Sequence, residues 1–267
     1  MKALICVAIV AGIFQGASMA LMPQHGITKH QGYKDRWHQS QSSTNAYNEP
    51  TVDWNLFNLK QQYKKSGGIL YKQSLLSPEE YNAIVMELSN LDLNVQDELK
   101  SSFANNRMGC TIGRETGIRK ILSDENGSLL KFVSSLEDNC DGRLRVAPEI
   151  PVELRIYEKT GAGMEWHIDD ILYNPPQIEV VLTIENSSDC YTIWKPLNGP
   201  IQSVQTTPNS GLILKSGGVE HKVSPLKVGR RTILKLAFVR EGAAIIDDMV
   251  GHASHHSGKS KTKKRKR

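Results

Sequence analysis

Apolar and polar residues alternate through Val152-Glu153-Leu154-Arg155-Ile156-Tyr157, a period of two that predicts a half-buried strand. Three later runs, Ile178 to Glu185, Gly211 to Lys215 and Arg231 to Val239, are short and rich in β-branched residues. Each is bounded by Pro, Gly, Asn or Ser, so each predicts a further strand. Upstream, Ser77-Pro78-Glu79-Glu80 is a capping box with proline at the first helical position. Tyr81, Ile84, Val85 and Leu88 then recur at helical spacing and form one apolar stripe. Leu129, Phe132, Val133 and Leu136 predict a second helix from Ser128 to Leu136. Both stripes are read as faces packed on a mainly β body that opens near Trp54, and the chain shows no internal repeat.

Within this pattern lies a candidate metal site. His167-Ile168-Asp169 sits between two predicted strands, and His221 and Arg231 follow further along. Residues i and i+2 of a strand share a face, so His167 and Asp169 can bind one ion while Ile168 packs behind them. Two imidazoles and one carboxylate on one face of an iron(II) ion leave the opposite face open. Alternation puts Arg231, Ile233, Lys235 and Ala237 on one face of the last strand and turns Arg230 outward. Arg231 then offers an always-charged fork to a carboxylate. An HxD tripeptide alone carries little weight in a chain with eight histidines. The information is in the ordered set of strand, HxD, strands, His, Gly-Arg-Arg and strand. Satisfied core histidines are the plain alternative. A cupin with another divalent ion would leave Arg231 without a role, and a non-catalytic barrel binding module would leave the triad without one.

On these residues the chain resembles the iron(II)/2-oxoglutarate dioxygenases of the prolyl 4-hydroxylase-like superfamily. The matching segments are PVELRIYEKTGAGMEWHIDD, IEVVLTIENSS and NSGLILKSGGVEHKVSPLKVGRRTILKLAFV, within Pro151 to Val239, and the strand and helix of Gly68 to Leu88 match the usual lead-in. PPQIEVVLTIENSSD and RMGCTIG are similar to a group of uncharacterised dioxygenase-domain proteins of plants and algae. The resemblance implies a double-stranded β-helix, a jelly-roll or cupin-like barrel. It implies Fe(II), 2-oxoglutarate and O2, with ascorbate as an accessory reductant, and succinate and CO2 as co-products. His167, Asp169 and His221 match the metal ligands, and Arg231 the partner of the distal carboxylate of 2-oxoglutarate. Tyr157 matches a tyrosine beside the co-substrate, with one more residue before the HxD than the family pattern; its alternative is a strand-end aromatic. Thr183 is expected to face the same cavity. Hydroxylation of a C–H bond in a protein, of prolyl type, or in a small molecule is the implied outcome. Asp169 disfavours halogenation, which goes with a missing carboxylate. Ala237 stands where nucleic-acid repair demethylases carry a second arginine.

Composition adds the ends. Lys2, the apolar stretch Ala3 to Phe14 and the small residues before Leu21 read as a secretory signal peptide over 1–20, followed by a polar linker or transit segment over 21–53. The dioxygenase domain is expected over 54–248, with a disordered tail over 249–267. This reading places the protein in the secretory pathway, or in a plastid if the signal is bipartite. The formal charge of +5 falls to −2 once the seven basic residues of Lys259 to Arg267 are set aside. The body therefore has no global electrostatic pull on nucleic acid, while the tail suits anionic glycans, acidic proteins or membranes. No segment beyond the first is long and apolar enough to predict a membrane span. Cys110, Cys140 and Cys190 remain after the signal, an odd number that makes no disulfide framework, although one pair can form. Asn126 and Asn186 head glycosylation sequons. Substrate loops are expected at Asp170 to Gln177 and Asp189 to Val204, with Tyr173, Pro175, Pro176, Tyr191 and Trp194 either as lining residues or as ordinary loop anchors, and Arg107 near the mouth.

Overall fold

A computed structural model of the chain describes residues 54–98, 103–137 and 143–246. The signal peptide, the linker and the basic tail lie outside these residues, as does Cys140. In chain order the elements are α1 (Trp54–Lys65), β1 (Ile69–Lys72), α2 (Pro78–Asn90), β2 (Gln96–Asp97), β3 (Ala104–Asn105), β4 (Met108–Ile112), α3 (Gly117–Ser123), α4 (Ser128–Leu136), β5 (Leu144–Val146), β6 (Val152–Tyr157) and β7 (Gly163–His167). They continue with β8 (Tyr173–Asn174), β9 (Ile178–Asn186), β10 (Thr192–Trp194), β11 (Gln202–Val204), β12 (Gly211–Lys215), β13 (His221–Val223), β14 (Arg231–Arg240) and β15 (Ala244–Ile245). The predicted strands and both predicted helices appear at their expected positions, with ends within a residue.

A larger antiparallel sheet runs β1-β12-β9-β14-β6-β4-β2, with β5 added to β14, and a smaller one runs β11-β10-β13-β7-β3. Two such sheets make the double-stranded β-helix. In the larger sheet the period of two sorts the side chains. Leu154, Ile156, Val180, Leu182, Ile213, Leu234, Leu236 and Phe238 join Ile84, Ile118, Leu122, Leu129 and Val133 of the helices in one buried cluster. The opposite face of the same strands (Arg155, Tyr157, Val181, Leu212, Arg231, Ile233, Lys235) lines an internal cavity. The central strands β9 and β14 are buried on both faces, which is why they read as nearly continuous apolar runs.

The helices are tied together by α2. Ser77 and Glu80 form the predicted capping box. Glu80 Oε1 also accepts from the Ser128 N–H at 2.9 Å, and Glu87 Oε1 accepts from the Gly117 N–H at 2.7 Å. Gly127 caps α4 without a side chain, so Glu80 supplies the acceptor that this helix start lacks. No helix among the described residues is long and apolar enough to cross a membrane.

Candidate metal centre

His167 closes β7 and His221 opens β13, and the two are direct cross-strand partners. Their rings lie 4.2 Å apart between centroids. Asp169 brings its Oδ2 to 3.4 Å from His221 Nε2 and its Oδ1 to 4.0 Å from His167 Nε2. The ligand atoms of these three residues all lie within 4.8 Å of one another. Each imidazole donates its Nδ1–H to a backbone carbonyl two residues earlier, His167 to Glu165 at 2.8 Å and His221 to Val219 at 3.2 Å. Both Nε2 lone pairs therefore face the shared space, which is the tautomer a metal needs. Burial, only partly offset by Asp169, lowers the His221 pKa to about 4, so its ring is neutral at pH 7.

One element of the expected geometry is corrected. The strand ends at His167, and Asp169 lies beyond it in an irregular segment. Ile168 does not pack behind its neighbours: it is 46% exposed and lines the cavity mouth. The segment is held instead by its backbone, since Asp169 O accepts from the Gly217 N–H at 2.9 Å. Gly217 has φ +71°, a left-handed conformation that favours glycine and strains other residues.

A second irregularity serves the site. Val223 pairs with Met164, whereas two residues away His221 pairs with His167, so β7 carries one extra residue. Met164 and His167, three apart, thus both line the cavity. Alternation alone would have put them on opposite faces.

The cavity holds about 200 Å³ and runs from the triad to Arg231. Arg231 is 2% exposed, with its guanidinium 5.6 Å from the centroid of the Tyr157 ring. Its Nε and one Nη have no hydrogen-bond partner among the described residues. A buried guanidinium with unpartnered donors suits an anion. Tyr157 is buried and its hydroxyl accepts from Arg107 at 3.4 Å, so it stands beside Arg231 as expected. Arg107 lines the cavity, held at its outer edge by Glu98 at 2.7 Å from Nε. Thr183 shares the inner face, opposite Ile233, and is fully buried with an unpartnered hydroxyl, but it does not line the cavity. The threonine that does is Thr192, whose buried hydroxyl is also unpartnered. Sequence reasoning missed it because it sits in a three-residue strand too short to show a period. Arg230 turns outward to Glu185 and Glu158, at 3.0 and 3.5 Å.

Lys235 was placed on the inner face by alternation but given no role. Its Nζ lies 3.1 Å from Asp169 Oδ1 and 2.5 Å from Glu179 Oε2. Burial alone would raise the Asp169 carboxyl. The Lys235 ammonium, with His221 and His167, holds it below the ordinary carboxylate range.

The expected loop residues do not form the pocket. Tyr173, Pro175, Pro176, Tyr191 and Trp194 all lie outside the triad cavity, which takes only Asp170 and Thr192 from those loops. Tyr173 packs with Ala147, Ala237 and Val239, and Trp194 with Ile69, Leu212 and Leu214. Trp194 lines a separate open groove of about 660 Å³ beside α1. Phe103, stacked on His167 with centroids 5.5 Å apart, forms the rim with Ile168 instead. Cys110 and Cys190 carry free thiols. The Asn186 side-chain amide donates to Thr206 O at 2.7 Å, so a glycan there would cost a structural bond, whereas Asn126 is exposed.

The sequence matches no protein-family model. It also matches no curated protein. Among solved structures, a 2OG-Fe(II) oxygenase family oxidoreductase from Burkholderia pseudomallei superposes with a TM-score of 0.58 at 12% identity, covering 73% of this chain and 95% of the other. The non-heme alpha ketoglutarate dependent epimerase SnoN from nogalamycin biosynthesis gives a TM-score of 0.59 at 11% identity, covering 72% and 83%. A Pseudomonas putida prolyl-4-hydroxylase gives 0.53 at 13%, covering 70% and 99%. The chain therefore has the double-stranded β-helix fold of the 2OG-Fe(II) oxygenases, and a His-Asp-His cluster that can hold a metal lies in its cavity.

Proposed function

We propose that the protein is an Fe(II)- and 2-oxoglutarate-dependent oxygenase that hydroxylates a C–H bond. One observation carries the reading: a complete His-Asp-His cluster and a buried arginine with two unpartnered donors share a single cavity. The donor set of two imidazoles and one carboxylate suits Fe(II) and leaves positions for other ligands. His167, Asp169 and His221 would hold the ion by one face. Arg231 would bind the distal carboxylate of 2-oxoglutarate, with Tyr157 alongside, and so orient the other end of that molecule toward the metal. When bound, iron with 2-oxoglutarate and O2 supplies the oxidising power for hydroxylation, with succinate and CO2 as co-products. Met164, Val223, Leu212 and Leu214 wall the cavity with apolar surface and exclude water from it. Ascorbate fits this chemistry as an accessory reductant.

The substrate enters past Phe103 and Ile168, an apolar rim. A prolyl side chain in a protein or a small molecule suits that rim, and the fold neighbours named above include a prolyl-4-hydroxylase and an epimerase of nogalamycin biosynthesis. A cupin reaction without 2-oxoglutarate leaves the desolvated Arg231 without a partner, and a plain binding module leaves the metal cluster without a purpose. We place the enzyme in the secretory pathway on the strength of the N-terminal apolar segment alone; removal of sugar from Asn126 by a glycosidase tests this.

The deciding experiment is anaerobic titration of the protein with Fe(II), with and without 2-oxoglutarate, followed in the visible region. A metal-to-ligand charge-transfer band that needs both additions and is lost in His167→Ala is expected. Tight metal binding with no band would move the assignment to the cupin reading, and no metal binding by folded protein to the binding module.

A further inference from the structure

The inner face of β14 presents two cations, Arg231 and, four residues on, Lys235. The second belongs to a connected set. Glu179 Oε1 accepts from Ser216 Oγ at 3.1 Å and from Gln177 Nε2 at 3.4 Å, while its Oε2 meets Lys235. Gln177 also holds the segment that carries Asp169, donating to Asp170 O at 2.9 Å and accepting from the Leu172 N–H at 3.1 Å. Lys235 closes the set by donating to Asp169 Oδ1 at 3.1 Å. The other oxygen of that carboxylate, Oδ2, lies nearer the cluster, 3.4 Å from His221 Nε2, whereas Oδ1 stands 4.0 Å from His167 Nε2.

The two oxygens of Asp169 are thus given different work. A freely turning carboxylate can close both oxygens on one cation and occupy two coordination positions. An ammonium seated on Oδ1, itself fixed by Glu179, opposes that rotation. We propose that Lys235 is a positioning residue that keeps Asp169 a one-oxygen ligand and so keeps three positions of the metal open. The proposal rests on the metal-site reading above. It goes further in assigning to this chain's own lysine the number of positions left free. The competing account is that Lys235 only neutralises the buried Glu179.

Mn(II), which takes the same ligand types, reports the difference directly. Inner-sphere water on bound Mn(II) is counted by water-proton relaxation, with free Mn(II) measured by electron paramagnetic resonance. The variant Lys235→Met/Glu179→Leu removes the cation together with its buried counter-ion, a change that leaves no unpaired charge between them. Lys235→Met/Glu179→Gln removes the same cation and retains a partner for Ser216. Either one, shown to be folded by circular dichroism, serves. The wild type is expected to bind one Mn(II), and the relaxivity of the bound ion is expected to fall by about one third in the variant, as one of three waters is displaced. Unchanged relaxivity in a folded variant that binds Mn(II) would overturn the proposal and leave Lys235 as a counter-charge for Glu179. Absence of Mn(II) binding by the wild type would instead overturn the metal-site reading on which it rests.

Discussion

Arg231 carries a cost in the ligand-free protein. Its guanidinium is buried at 2% exposure with two nitrogens unpartnered among the described residues, and an unmade buried hydrogen bond costs about 1–3 kcal/mol. Arg231→Met is therefore expected to stabilise the ligand-free protein by about 1–3 kcal/mol in urea unfolding, while abolishing 2-oxoglutarate binding. In the wild type, with metal present, 2-oxoglutarate at a hundred times its Kd should add about 2.7 kcal/mol of stability, and in the variant nothing. A variant less stable than wild type would show that Arg231 has a structural partner. Lys235 behaves oppositely. Its ammonium meets two carboxylates at 27% side-chain exposure, so Lys235→Met alone should destabilise the protein by about 3 kcal/mol by stranding Glu179. Both residues were visible to alternation, because an arginine and a lysine at even spacing in an apolar strand must face the same way. Alternation cannot say what an inward lysine meets, because Asp169 lies 66 residues earlier and reaches it only through the closure of the barrel.

At the scale of elements, α2 organises the helical layer through its glutamates. Glu80 accepts hydrogen bonds from the N-termini of both α2 and α4. Burial would raise its pKa, but the bonds from Ser128 and Ser77 outweigh this and hold it below the ordinary value. A carboxyl with its pKa lowered on folding contributes stability above its unfolded pKa, near 4.3, and loses that contribution as pH falls through the folded value. Glu80→Gln should thus cost about 1 kcal/mol at pH 7, with the gap from wild type closing below about pH 4. A gap independent of pH would mean that the charge contributes nothing. The capping box was legible from four consecutive residues because its bonds are local. The second use of Glu80, on a helix 48 residues away, was not. Nor were the two extra residues that break strand register. One lies between Met164 and His167, and the other is Ile184, opposite the step from Thr232 to Ile233. The first adjoins the metal cluster and decides which of its neighbours face the cavity, as bulges beside functional sites do.

For the whole molecule, charge separates the ends from the body. With a charge of −2 over residues 1–258 and seven basic residues in the last nine, binding to polyanions should reside in the tail. The full chain is expected to elute from heparin at higher salt than a chain ending at Asp248, with equal metal binding in both. Equal elution would remove the tail from any role in attachment. What the sequence determined by itself is what short-range physics controls. Strand periods, a capped helix start, the His167-Ile168-Asp169 tripeptide and the inward face of β14 are all set by residues a few positions apart, and the order in which His221 and Arg231 follow is read directly along the chain. Tertiary structure decided the rest: the irregular turn that carries Asp169, the exposed Ile168, the substitution of Phe103, Met164 and Thr192 for the expected loop aromatics, and the Asp169–Lys235–Glu179 set. These depend on which strands become neighbours when two sheets close on each other. That choice is made by burial of side chains distant in the chain, and no local pattern records it.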